Sequence, residues 1–160
     1  GDVNGVSMLA HTAAREGQVA VHHITDYPDA MSYRAIPGIV YTDPEIASIG
    51  ITEADAKARG IEISVGKFTM SANGKSLISK EERGFVKILA DKASKEVLGA
   101  QMMCARATDM IGEFGTAIAN KLTVDQLLKA MRAHPTYNEA VGEALEDVFG
   151  ECVHSAPKKK

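Results

Sequence analysis

The sequence is poor in cysteine: Cys104 and Cys152 are the only two in 160 residues. They form neither a C-x-x-C motif nor the spacing of metal ligands, which argues against a zinc site or a local redox pair. Cys104 lies in an apolar run, and we expect it to pack as a small hydrophobic side chain. No metal site is predicted from these residues.

The sequence also has little excess of either charge. The formal net charge is −3 and the pI is about 6.0, so there is no basic field for nucleic acid. The only like-charge run is Lys158-Lys159-Lys160, which we interpret as part of a solvated tail. No apolar stretch has the length of a membrane span and no signal segment opens the chain. We therefore expect no nucleic-acid or membrane partner, and a cytoplasmic location.

Two catalytic signatures are missing. The fourteen glycines are scattered, and no G-x-G-x-x-G follows a predicted strand. No serine stands in a G-x-S-x-G turn either. If the chain serves an enzyme, its cofactor and nucleophile must come from outside these residues.

Hydrophobic residues make up 45% of the sequence, which is enough for one compact domain. The start of the chain is unlike that of a complete protein. Gly1 replaces an initiator methionine, so we expect the sequence to begin inside a longer one. A helix is predicted from Met8 to Glu16 and is expected to close at Gly17. A connecting segment, 24–37, then leads to the domain proper near Ile36.

Residues after Ile36 alternate between strand and helix signals. Short β-prone runs at 39–42 and 46–49 are separated by a bend, a strand at 61–65 extends through 67–70, and a polar loop covers 71–83. Runs 84–90 and 97–103 flank a polar turn and predict a central antiparallel hairpin. Helices are predicted after Thr52, over 108–121, after Thr123 and from Thr136. The fold class is α+β, an antiparallel sheet with helices packed mainly on one face.

The most informative stretch is His134-Pro135-Thr136-Tyr137-Asn138-Glu139. A carboxylate bonded to one imidazole nitrogen leaves the other free to exchange a proton, so His134 and Glu139 are candidates for an acid/base pair. Thr136-x-x-Glu139 is also a capping box, which explains Glu139 equally well. Both interpretations stay open from the residues alone.

The other histidines give weaker signals. His22 and His23 are adjacent and point in different directions, which argues against a shared metal. His11 is expected to pack at a helix surface, and His154 lies in the tail.

Five segments in register carry a resemblance. They are Gly1-Asp2, Met8-Leu9-Ala10-His11, the run from Tyr41 to Gly50, Val97-Leu98-Gly99-Ala100, and His134-Pro135-Thr136 with Glu139. Together they resemble the C-terminal third of the flavin-dependent pyridine nucleotide disulfide oxidoreductases, over nearly the whole chain up to Phe149. The Met8 to His11 run favours the dihydrolipoamide dehydrogenase branch over the glutathione reductases, which share other pieces.

The resemblance implies a homodimer whose subunits hold an FAD domain, an NAD domain and an interface domain. Residues 1–35 would be the edge of the FAD domain, 36–150 the interface domain and 151–160 a flexible tail. Asp2 would hydrogen-bond the ribityl chain of FAD, and Met8, Leu9, Ala10 and His11 would approach the flavin. FAD and NAD belong to the complete enzyme, and we expect this portion to bind neither alone.

The resemblance also implies roles for the pair. His134 would exchange a proton with the dithiol of dihydrolipoamide, Glu139 would hold the ring, and both would reach across the dimer into the partner's active site. The partner complex would contain a lipoyl-bearing acyltransferase, in the bacterial cytoplasm or the mitochondrial matrix. Alone, the chain would be inactive. Tyr137-Asn138 stands where the family usually has smaller or aliphatic residues, and it would alter the rim of the lipoamide channel. A glutathione-type interface domain and a non-catalytic dimerisation module remain alternatives.

Overall fold

The structure is a computed structural model, and it describes residues 1–155. The chain divides into two compact units after Ile36. Each unit has its own secondary structure. Among the described residues, no helix has both the length and the apolar character needed to cross a membrane.

The N-terminal unit contains a short 3₁₀ turn, Asp2–Asn4, followed by helix α1, Ala10–Ile24. The prediction that this helix closes at Gly17 is wrong, because it continues for another two turns. A glycine inside a helix costs only about 1 kcal/mol relative to alanine. Arg15 and His22, on either side of the glycine, both bind the carboxylate of Asp29, at 2.6–2.7 Å, and so tie the two halves of the helix to one partner.

The second unit is built on a five-stranded antiparallel sheet with the order β1-β2-β5-β4-β3. The predicted hairpin of β4 and β5 is confirmed, and β5 is the central strand. The predicted bend between the first two strands is also present. The strands are β1 Gly38–Val40, β2 Glu45–Gly50, β3 Ile63–Thr69, β4 Phe85–Asp91 and β5 Val97–Cys104.

Among the described residues of this unit, five α-helices accompany the sheet. Thr52 and Thr123 both form the expected capping boxes, each accepting from a backbone N–H three residues on while that residue's side chain accepts in return. The helices are α2 Glu53–Ala58, α3 Gly74–Ser79, α4 Ala107–Ala119, α5 Val124–Leu128 and α6 Glu139–Asp147.

Two helix predictions need correction. The segment 71–83 is not a loop throughout, because α3 forms there with Asn73 accepting from the Ser76 N–H at 2.9 Å. The last helix begins at Glu139 rather than at Thr136. The Thr136 hydroxyl donates to the Ala133 carbonyl at 2.7 Å and so does not cap the helix.

The sheet has one face covered by α4 and α6. Ile49, Ala100, Ile88 and Gly66 are register neighbours across four strands, so they share a face. Ile49 meets α4 at Gly115, and Gly66 meets α6 at Ala144. The α+β prediction, with helices mainly on one face, is confirmed.

The opposite face is partly covered by α2. Lys87, which points away from the α4 and α6 side, donates to Glu53 at 2.7 Å. Gln101 on the same face donates to the Ile51 carbonyl at 3.2 Å. The short α2 therefore lies over the middle of this more polar face.

Most of the core lies between the sheet and the helices α4 and α6, while Leu89 is buried on the opposite face. Cys104 is fully buried in the core, as predicted. The largest side chains with less than 2% exposure are Phe68, Phe114, Met70, Ile88, Leu89, Met102 and Leu145.

The chain continues past α6 through residues 151–155, which contain no helix or strand. The predicted flexible tail, 151–160, falls partly outside the described residues, and Lys158-Lys159-Lys160 lies entirely outside them.

Gly66 is expected to be intolerant of any side chain. A Cβ at this position would lie 2.0 Å from the Ala144 carbonyl oxygen in α6, so Gly66→Ala must push the helix off the sheet. Overpacking of this kind costs about 1–3 kcal/mol or more. Urea unfolding measures the loss as a fall in the free energy of unfolding.

Gly112→Ala is the matched control. Gly112 lies inside α4, and a Cβ there meets nothing within 4 Å. This change is expected to raise the free energy of unfolding by up to about 1 kcal/mol. Equal behaviour of the two variants would contradict the close seating of α6 on β3.

Candidate active site

His134 lies on the connection between α5 and α6, and an ion pair anchors that connection. The Arg132 guanidinium lies 2.5 Å from a carboxylate oxygen of Glu113 in α4, and its side chain is only 9% exposed. Its second nitrogen donates to the Ala130 carbonyl at 3.2 Å. The peptide bond that follows, His134-Pro135, is cis. The segment just before the histidine is thereby fixed to α4.

Both carboxylate oxygens of Glu139 make contacts in the turn before α6. One carboxylate oxygen, Oε1, lies 2.8 Å from His134 Nδ1. The other, Oε2, accepts from the Thr136 backbone N–H at 2.8 Å, although the Thr136 side chain does not cap α6. A single carboxylate therefore holds the imidazole and the backbone of the turn at the start of α6.

The imidazole points outward. The side chain of His134 is 77% exposed, whereas that of Glu139 is 28% exposed. In the part of the chain that the structure describes, Nε2 of His134 has no hydrogen-bond partner. The nitrogen away from the carboxylate is thus open to an incoming group.

Asn73 supports the same turn from the other side. Its side-chain nitrogen donates to the Thr136 carbonyl at 3.1 Å, and its oxygen accepts from both the backbone N–H and the hydroxyl of Ser76. Asn73 is only 3% exposed. The start of α3 is therefore joined to the turn that carries His134.

A cavity of about 280 Å³ opens beside the pair. Phe68 and Ala72 form an apolar part of its wall. The pair forms a polar part, together with Glu143 and His154.

Tyr137 and Asn138, which depart from the family pattern, both point to neighbouring carboxylates. The Tyr137 hydroxyl donates to Glu81, and the pKa of this phenol is raised by burial and by that carboxylate. Asn138 donates to Glu113 at 3.5 Å. The expectation that this pair alters the rim of a substrate channel stays a prediction.

The remaining predicted site residues lie in the N-terminal unit. Asp2 is exposed in the 3₁₀ turn, and Met8 is 74% exposed. Leu9 is the N-cap of α1, and Ala10 and His11 are its first residues. As the N-cap, Leu9 makes no side-chain hydrogen bond to the helix.

Neither cysteine has the properties of a reactive thiol. Both are free, and burial raises the pKa of Cys104 to about 12 with a smaller contribution from Glu45. Burial also raises the pKa of Cys152, as does its hydrogen bond to Glu143. Within residues 1–155, no group of three or more His, Cys, Asp or Glu side chains is arranged to hold a metal ion.

Sequence reasoning missed four residues of this region: Asn73, Arg132, Glu143 and His154. Asn73 had a readable signal, since an asparagine three residues before Ser76 is a helix N-cap pattern. The partners of the other three are distant in sequence or in the tail, and no local spacing reveals them.

Comparison with known proteins gives consistent results. The dimerisation-domain model of the pyridine nucleotide-disulphide oxidoreductases matches residues 36–145. The chain is 41% identical over 155 residues to a dihydrolipoyl dehydrogenase of Halobacterium salinarum, covering 97% of this chain and 33% of that protein. It is 39% identical over 158 residues to the dihydrolipoyl dehydrogenase of Geobacillus stearothermophilus, covering 99% of this chain and 34% of that protein.

Solved structures show the same fold. LpdA of Mycobacterium tuberculosis superposes with a TM-score of 0.84 at 25% identity, over 89% of this chain and 31% of that one. The HOCl-induced flavoprotein disulfide reductase of Escherichia coli superposes with a TM-score of 0.83 at 21% identity, over 91% of this chain and 34% of that one, and shows the fold alone.

The chain spans about a third of the length of the curated relatives it matches. Its sheet, its helices and its sequence agree with one domain of those proteins. The chain belongs to the pyridine nucleotide-disulphide oxidoreductase family, and residues 36–145 match its dimerisation domain.

Proposed function

We propose that this chain is the interface-domain part of a dihydrolipoyl dehydrogenase, which oxidises protein-bound dihydrolipoamide to lipoamide and reduces NAD through FAD and a redox disulfide. The chain supplies the contact between two subunits and the acid/base pair His134 and Glu139. The redox disulfide belongs to the FAD domain, and the pair acts on the site of the partner subunit.

The geometry of the pair carries this proposal. A carboxylate only accepts hydrogen bonds, so Glu139 at 2.8 Å places the imidazole proton on Nδ1. Nε2 then keeps its lone pair and can accept a proton. Because the ring is 77% exposed, it can meet a substrate held by another subunit.

The reaction needs such a base. A free thiol has a pKa of about 8.5, so most of a dithiol is unreactive at neutral pH. Only the thiolate attacks a disulfide sulfur. When Nε2 of His134 takes the thiol proton, the thiolate forms at the moment of attack, and Glu139 stabilises the imidazolium that results.

Residues of the N-terminal unit fit a flavin. Asp2 presents an exposed carboxylate, which suits the hydroxyl groups of a ribityl chain. Ala10 and His11 form the first turn of α1, and a helix start suits the polar atoms of a flavin. Met8 and Leu9 lie beside this turn. FAD, when bound, supplies electron transfer between the dithiol chemistry and NAD.

The relatives favour the lipoamide branch. Those with 39–41% identity over nearly the whole chain are named dihydrolipoyl dehydrogenases. A glutathione-type enzyme and a non-catalytic module are supported less, since a scaffold needs neither His134 nor Glu139. By the same proposal the protein is a homodimer that serves a lipoyl-bearing acyltransferase complex, in the cytoplasm or, in a eukaryote, the mitochondrial matrix.

The tautomer of His134 is a first test. We expect the ring proton on Nδ1 at pH values where the imidazole is neutral, because Glu139 accepts from that nitrogen. Nitrogen-15 NMR of labelled histidine distinguishes the two tautomers. Glu139→Ala removes the acceptor and should shift the population toward the Nε2–H form. An Nε2–H ring in the unchanged protein would contradict the proposed base.

Replacement of the base is the second test. In the complete flavoenzyme, His134→Gln is expected to lower the rate of dihydrolipoamide oxidation by about 10²- to 10⁴-fold, the range of general acid–base catalysis. Oxidation of NADH by an artificial electron acceptor should stay near the unchanged rate, because it requires no proton transfer from a thiol. Steady-state kinetics of dihydrolipoamide oxidation and of NADH oxidation by the artificial acceptor give the comparison.

His23→Gln is the matched control, since His23 is an exposed histidine on α1 outside the cavity. It should alter neither rate. If His134→Gln lowers the rates of both reactions equally, the variant has a structural defect and the acid/base role is contradicted.

A further inference from the structure

Glu143 accepts several hydrogen bonds from the chain beyond α6. Its Oε1 lies 2.5 Å from His154 Nδ1, and its Oε2 accepts from the His154 backbone N–H at 3.3 Å. The Cys152 thiol also donates to Oε2, at 2.9 Å. Three groups of one short segment therefore bind a single carboxylate of α6.

This arrangement creates a second imidazole–carboxylate pair next to the first. Glu139 and Glu143 are four residues apart on α6, so their side chains lie one above the other on one face. His134 and His154 bind them in turn, and all four line the same cavity of about 280 Å³. The side chain of His154 is 66% exposed, so its ring is accessible to a small molecule in that cavity.

The charges support a hydrogen-bond donor at this position. The hydrogen bond to Glu143 raises the pKa of His154, and the nearby carboxylates of Glu146 and Glu139 act in the same direction. Burial by itself would raise the pKa of Glu143, but the hydrogen bonds from Cys152 and His154 outweigh it and lower the pKa. Glu143 therefore stabilises the protonated imidazole, in which Nδ1 binds the carboxylate and Nε2 also carries a proton.

The rest of the cavity fits a small thiol compound with a hydrocarbon part. Phe68 and Ala72 form apolar wall, and the two imidazoles form polar wall. An N–H donor facing the cavity stabilises a thiolate, and Nε2 of His134 accepts the proton that the thiol loses.

We propose that His154, held by Glu143, is a substrate-binding residue of the dithiol site. It donates from Nε2 to the bound dithiol and determines how tightly that substrate binds, while His134 determines how fast it reacts. This inference rests on the proposed function, which supplies the substrate class.

The kinetic test uses the complete flavoenzyme. His154→Gln is expected to raise KM for dihydrolipoamide by about three- to ten-fold, the effect of one lost hydrogen bond, with kcat and KM for NAD near their unchanged values. Glu143→Gln should act in the same direction, and the double variant should add little to either single one. His23→Gln, which changes an exposed histidine that does not line the cavity, should alter nothing.

A second measurement does not depend on turnover. Diethyl pyrocarbonate modifies accessible imidazoles, and peptide mass spectrometry measures the rate at each histidine. Lipoamide, which has no thiol to consume the reagent, is expected to slow modification of His154 and His134 and to leave His23 unaffected. A merely structural role of His154 predicts no protection.

The outcomes separate the two proposals. If the enzyme oxidises dihydrolipoamide but His154→Gln leaves KM unchanged and lipoamide gives no protection at His154, the inference fails and the proposed function stands. If the unchanged enzyme does not oxidise dihydrolipoamide, the proposed function fails. Loss of kcat in both reactions of His154→Gln would assign the residue to stability and would overturn its role in binding.

Discussion

The contact between α6 and β3 is the constraint on which the candidate site depends. Gly66 lets the helix backbone approach the strand directly, and Asp147 near the end of α6 accepts from the Lys67 N–H at 2.7 Å. Glu139 and Glu143 are carried by this helix. The end of β3 leads through a 3₁₀ turn into Asn73 and α3, which support the same cavity. One helix–strand contact therefore places most of the cavity wall.

The carboxylate of Glu139 is the second constraint on the candidate site. Because its two oxygens bind His134 and the Thr136 N–H, the orientation of the imidazole is tied to the backbone at the start of α6. Asn73 holds the Thr136 carbonyl, and Arg132 fixes the segment just before His134 to α4. An exposed histidine would ordinarily sample several rotamers, and these contacts restrict it without burying it.

Local signals in the sequence predicted most of the fold. The hairpin of β4 and β5 and the capping boxes at Thr52 and Thr123 depend on residues within a few positions of one another, so the sequence shows them directly. Gly17 failed as a helix end because contacts with Asp29, well beyond it, outweigh a small local preference.

The site was predicted only in part, for the same physical reason. His134 and Glu139 are close in sequence, and the capping spacing explained why Glu139 points back toward the turn. Arg132 meets Glu113 from another helix, and His154 reaches Glu143 from beyond α6. Such contacts are set by how the elements pack, and neither spacing nor composition reveals them.

The central claim is that His134 completes the active site of the other subunit. The direct test is a mixed dimer of the complete enzyme, in which one subunit carries His134→Gln and the other lacks the redox cysteines of its FAD domain. If the site is shared, one of the two sites keeps both groups, and the mixed dimer should recover about half of the normal dihydrolipoamide activity. A mixed dimer as inactive as either parent homodimer would contradict this account.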